Sequence, residues 1–155
     1  MQTRREVLSH SAQVAAMLSA LGLMPGLAQA QAAPYNTAAF AAKTMAELTK
    51  ALGVAAPTES KDISVTGPDI AENGAVVPLG AASTLPGVKR LLLLVEKNPS
   101  MLAAMFDIND AIDANVSTRV KMGQSSNVYA VAIMGDGKVL FAQKEVKVTL
   151  GGCGG

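Results

Sequence analysis

Two periodicities follow one another along this chain. Between residues 36 and 52 apolar side chains recur at helical spacing: Phe40, Thr44 or Met45, Leu48 and Leu52. Asn36 or Thr37 is placed to cap this helix, and Gly53 to stop it. Residues 54–60, with Pro57, read as a linker. From Lys61 onward the signals are those of strands and turns. Asp62 to Thr66 alternates and ends at Gly67-Pro68, and Asn73-Gly74 is a turn before Ala75 to Leu79. Leu85-Pro86-Gly87 is the next turn, followed by an apolar run from Lys89 to Lys97 closed by Asn98-Pro99. Val116 to Met122 alternates again. Val128 to Met134 and Lys138 to Ala142 flank Gly135-Asp136-Gly137 as a hairpin, and a last strand runs from Lys144 to Leu150.

Residues 101–108 are ambiguous. Their composition suits a helix capped by Ser100, but their place among regularly spaced strands suits a strand, and a strand is the reading adopted. Six or seven short strands in about 90 residues predict an antiparallel β-sandwich. Leu91 to Val95 is apolar at every position, whereas a strand covered on one side would alternate. Its second face is therefore covered, either by the N-terminal helix or by a partner subunit. Five residues between charged pairs are too few to span a bilayer.

The first thirty residues read as an export signal rather than as part of the fold. Thr3-Arg4-Arg5-Glu6-Val7-Leu8 is a twin-arginine pattern, with Arg4 and Arg5 as its signature. A mildly apolar stretch from Ser11 to Leu27 follows, and Ala28-Gln29-Ala30 fits a small-x-small cleavage site. A retained anchor is the alternative, but crossing a bilayer takes about 20 apolar residues and this stretch is short and mild. The organisation expected is a signal over 1–30, a helix and linker over 31–60, a β-sandwich over 61–150 and an arm over 151–155. The compartment expected is the bacterial periplasm, reached by the twin-arginine route.

Composition sharpens this picture at one point. The chain has one His, His10, and it leaves with the signal. Losing Arg4, Arg5 and Glu6 leaves 11 basic and 11 acidic residues, so no field favours nucleic acid or an acidic membrane. A mature chain without imidazole has no Ser-His-Asp triad and no His-based metal site. Asp107, Asp110 and Asp113 recur every third residue, but no Gly falls where an EF-hand loop requires one, and they read as a solvated acidic loop. No metal and no cofactor is expected.

The chemistry is left to one place, Leu150-Gly151-Gly152-Cys153-Gly154-Gly155. Gly151, Gly152, Gly154 and Gly155 bring wide dihedral freedom and no side chains around the only thiol. They predict a slim, flexible arm, reaching about 10 Å from Leu150 to Cys153. Nothing in the arm acts as acid or base, so Cys153 should titrate near the free value of about 8.5. One Cys excludes an internal disulfide but leaves a homodimer through Cys153 open.

With these stretches in view, the chain resembles SoxY, the sulfur-carrier subunit of the bacterial Sox thiosulfate-oxidation system. The resemblance rests on Ile70 to Pro78, Leu94 to Pro99, Ser117 to Asn127, and Lys144 to Leu150 with the Gly-Gly-Cys-Gly-Gly end. It implies an immunoglobulin-like sandwich paired with a second sandwich subunit of the SoxZ type. It implies a carrier rather than an enzyme. A haem sulfur transferase would join thiosulfate to Cys153 as an S-thiosulfonate, a hydrolase would release sulfate, and a sulfane dehydrogenase would oxidise the sulfur that remains. The competing readings are a thiol redox protein, which should show a resolving Cys, and a structural β-sandwich with a dispensable tail.

Overall fold

A computed structural model describes residues 36–149. The helical stretch forms two helices, not the single one its spacing predicts: α1 over Thr37–Ala41 and α2 over Met45–Leu52. Asn36 caps α1 by accepting from the Ala39 N–H at 2.9 Å. The break follows from two competing partners. The Ala42 carbonyl accepts from the Met101 N–H at 3.1 Å instead of continuing the helix. Thr44 then starts α2 by accepting from the Glu47 N–H, while the Glu47 carboxylate reaches back to the Lys43 N–H at 2.8 Å. Gly53 ends α2 with φ of 66°, a left-handed conformation that Gly adopts without steric cost.

Nine strands follow among the described residues. They are β1 Thr58–Glu59, β2 Ile63–Thr66, β3 Ile70–Ala71, β4 Val77–Ser83, β5 Val88–Val95, β6 Leu102–Asp107, β7 Asn115–Val120, β8 Ser126–Met134 and β9 Val139–Val148. Residues 102–107 are thus a strand, as their position predicts. The two strands read at Lys138–Ala142 and Lys144–Leu150 are one continuous strand, β9. Each of its residues from Val139 to Val146 faces a β8 partner from Ile133 back to Ser126, so Gln143 causes no break.

The larger sheet runs β1-β9-β8-β5-β6, with β3 added beside the end of β9; the smaller is β2-β4-β7. Apart from β1 and β3, which lie parallel to β9, all pairings are antiparallel. The smaller sheet packs β2 against β8 and β9, and β4 against β5 and β8. This is an open β-sandwich of the immunoglobulin-like type.

The apolar run in β5 divides cleanly between two cores. Leu91, Leu93 and Val95 point between the sheets, where they meet Leu79, Val77, Val128, Ala130 and Val146. Leu92 and Leu94 point the other way, into a layer with Ala39, Ala42, Leu48 and Val131. The N-terminal helices therefore cover the second face of β5. Phe40, Met45 and Leu52 close the edge of that layer, as the helical stripe predicts.

Candidate functional site

β9 is the strand that leads toward Cys153. Its last residues are held by a collar of three segments. On one side β3 runs parallel, with Ile70 opposite Lys147 and Ala71 opposite Val148. The Lys147 N–H donates to the Asp69 carbonyl and the Thr149 N–H to the Ala71 carbonyl, both at 3.0 Å. The Thr149 hydroxyl reaches the same Ala71 oxygen at 3.4 Å. On the other side the β8 ladder ends at Ser126 opposite Val146. The Ser125 hydroxyl extends it, accepting from the Val148 N–H at 2.9 Å.

The third segment is the turn after β3. Asn73 builds it with its own side chain, which accepts from the Ala75 N–H at 2.9 Å. The Gly74 carbonyl accepts from the Met122 N–H at 2.7 Å. A Cβ on Gly74 would overlap the Met122 carbonyl oxygen and stand 2.8 Å from Val148 Cγ1. Backbone here comes closer than any side chain permits. We expect Gly74→Ala to lower stability by about 1–3 kcal/mol, the usual cost of overpacking. Amide hydrogen exchange at Thr149 should accelerate more than at Val131, and an equal change at both sites would show that the collar is not a unit.

A charge pins the loop that leads into β3. Lys144, near the middle of β9, donates to the Gly67 carbonyl at 2.6 Å and pairs with Asp69 at 2.9 Å. The Lys144 hydrogen bond, and then its charge, hold the Asp69 carboxyl below its ordinary 3.8. A depressed carboxylate contributes stability above its unfolded value and loses it as the pH falls through its folded value. Asp69 is almost fully exposed, so the contribution is small. The protection factor of the Lys147 amide, its exchange measured against the intrinsic rate at each pH, should therefore be constant from neutral pH down to the ordinary carboxylate range and fall only below it. A loss of protection near neutrality would contradict this pairing.

Among the described residues no three His, Cys, Asp or Glu side chains gather as a metal would need. Asp107 is paired to Arg90 at 2.6 Å and Asp110 to Lys89 at 3.8 Å, and both aspartates, with Asp113, are exposed. This is the solvated acidic loop its spacing predicts.

Among the clefts of the described residues, two bear on the site. One, of about 600 Å³, is lined by Thr84, Leu85, Ile108, Asp110 and Asp113. It sits at the start of β5, level with the start of β9, so nine residues or about 30 Å of strand separate it from Val148. The other, of about 430 Å³, is lined by Met45, Met101, Tyr129, Phe141 and Gln143. Burial, and then the neighbouring Glu96 carboxylate, push the Tyr129 phenol above its ordinary 10.0, so it stays protonated. Gln143 is six residues back from Thr149, about 20 Å along an extended strand, while Cys153 is four residues on, about 14 Å at full reach.

The residues singled out from the sequence, Cys153 with Gly151, Gly152, Gly154 and Gly155, and Arg4 and Arg5 of the signal, lie outside the described residues. The structure adds the collar that holds the end of β9. Asn73-Gly74 marks its turn in the sequence. Nothing marks the two-residue strand β3, nor the pairing of Ser125 with Val148 and of Lys144 with Asp69, because short pairings carry no period.

The family described as sulfur oxidation protein SoxY matches residues 48–153. Among solved structures, the sulfur carrier protein SoxY from Chlorobium limicola f thiosulfatophilum shares 35% identity and a TM-score of 0.60. That match covers 66% of this chain and 93% of the other. A superoxide reductase (neelaredoxin) from Ignicoccus hospitalis shares 15% identity and a TM-score of 0.51 over 56% of this chain and 80% of the other, a likeness of fold alone. No curated protein matches the chain.

Proposed function

Because the chain belongs to the SoxY family of sulfur oxidation proteins, we propose that it carries sulfur substrates covalently on Cys153. The observation that bears most weight is where the family match ends: it runs through residue 153, the only thiol in the chain. That thiol stands four residues beyond Thr149, and four glycines surround it. A soft nucleophile that forms and breaks S–S bonds suits this cargo.

The proposed chemistry balances without a catalytic group on this chain. The Cys153 thiolate and thiosulfate lose two electrons to a haem sulfur transferase, and a Cys–S–S–SO₃⁻ group forms. Water then attacks the terminal sulfur on a hydrolase. Sulfate leaves, two protons are released, and a persulfide remains on Cys153. A sulfane dehydrogenase takes six electrons from the outer sulfur while three waters supply its oxygens and six protons leave, giving Cys–S–SO₃⁻, and hydrolysis of that group releases a second sulfate and restores the thiol. A tethered intermediate keeps a high effective concentration at each enzyme it visits.

The proposal includes pairing with a SoxZ-type sandwich subunit, export to the periplasm after removal of residues 1–30, and no resident cofactor. A Cys153 disulfide between two copies would be a resting form. The test is an intact mass of the mature chain with its partner subunit after incubation with thiosulfate and the haem enzyme. One reductant-reversible thiosulfonate per chain is expected, and an unmodified thiol under turnover would refute the carrier reading.

A further inference from the structure

Resting on that reading, we propose that the collar at the root of the arm is also the surface on which the loading enzyme docks, with Ile70 and Val76 as its apolar contacts. The argument is one of reach. Thr149 is fixed to Ala71 and Val148 to Ser125. From Thr149, four residues carry the chain no more than about 14 Å to Cys153. An enzyme that closes around the sulfur far enough to exclude water has its own surface brought down onto the collar. The docking partner is thus set by the length of chain between the fixed root and the reacting atom.

What the collar presents there is apolar. Three large apolar side chains are markedly exposed among the described residues: Ile70 at 57%, Val76 at 50% and Ile112 at 51%. Two of the three fall in the seven-residue stretch 70–76. Ile70 is paired to Lys147, and Val76 lies two residues beyond Gly74, which abuts Val148. The charges around them alternate in sign, with exposed Glu72, Lys121, Glu145 and Lys147. Mixed charges produce no directing field, so the matching surface is an apolar rim around a narrow entrance rather than a basic or acidic patch. Ile112 lies in the loop at the opposite end of the sheets, in the stretch that lines the 600 Å³ cleft, and serves as an internal control.

The experiment compares the mature wild-type chain, Ile70→Ser/Val76→Ser, Ile70→Val/Val76→Ile and Ile112→Ser, each with its partner subunit. Thiosulfate loading of Cys153 by the haem enzyme is followed by mass. Burying two aliphatic side chains in the complex predicts a KM about tenfold higher for the double serine variant, with kcat held. The aliphatic double variant and Ile112→Ser should stay near wild type. Melting temperature and sedimentation of the two-subunit complex should not change. An unaltered KM would overturn the proposal, as would an equal rise in Ile112→Ser. Dissociation of the subunits by the double serine variant would assign the patch to the subunit interface and overturn it too. Wild-type loading is read first: without it the carrier reading falls, whereas normal loading of all four proteins removes only the docking surface.

Discussion

Cys153→Ser is expected to end covalent loading completely while leaving the fold untouched. The chain holds one sulfur nucleophile of this kind, so no second residue shares its role. A serine hydroxyl neither ionises near neutral pH nor forms a bond equivalent to S–S. Incubated with thiosulfate, partner subunit and haem enzyme, the variant should show only its unmodified mass. Its melting temperature should match wild type, because both cores are filled by side chains between Ala39 and Val146 and the exchange of sulfur for oxygen at residue 153 changes none of them. A thiosulfonate on the variant would move the attachment site elsewhere. A large fall in melting temperature would mean that the thiol is structural.

The largest effect on stability is expected at the centre of β5. Leu93 is fully buried between the sheets, paired to Ala104 on β6 and Ala130 on β8. Small neighbours on both sides leave Leu93 to fill the space, and strands fixed by two ladders do not collapse into a void. Leu93→Ala should therefore cost about 3–5 kcal/mol, the upper part of the range for such truncations. For a domain of this size that lowers the melting temperature by roughly 10–20 °C. Loading of Cys153 in the protein that remains folded should be normal, since the collar residues Ala71, Gly74 and Ser125 keep their partners. Urea unfolding measures the difference, and a cost under about 1 kcal/mol would show a core able to repack. Leu92→Ala tests the opposite face. Its loss should loosen the helix layer around Ala39 and Leu48, so protection of α2 amides should fall before that of β4.

These contrasts show how far each signal in the chain reaches. Leu91 to Val95 announces a strand covered on both faces, because five apolar positions in a row leave no solvated side. Period alone does not say what covers the second face. The answer came from Ala39, Ala42 and Leu48, which are distant in sequence from Leu92 and Leu94. The helix break at Ala42–Thr44 had a local signal, Thr44 three residues before Glu47. Its other cause, the Ala42 carbonyl taken by Met101, was not local. The sequence divides β9 at Gln143 because a polar residue between two strand-like stretches looks like a gap. In the sheet Gln143 is an exposed position of an unbroken strand.

The candidate chemistry rests on composition and order alone. One thiol among four glycines, and no imidazole after residue 30, are properties of the chain before it folds. So are the two periodicities that make helices and strands. The collar at the end of β9 was decided only by the tertiary structure. Asp69, Ala71, Gly74, Ser125 and Lys144 come from three separate segments, and none carries a local preference for the others. They meet because β9 is flanked by β8 on one side and β3 on the other, and because a glycine lets the turn approach Val148. Local sequence sets propensity over a few residues, whereas long-range hydrogen bonds form only when the packed sheets bring their partners within about 3 Å.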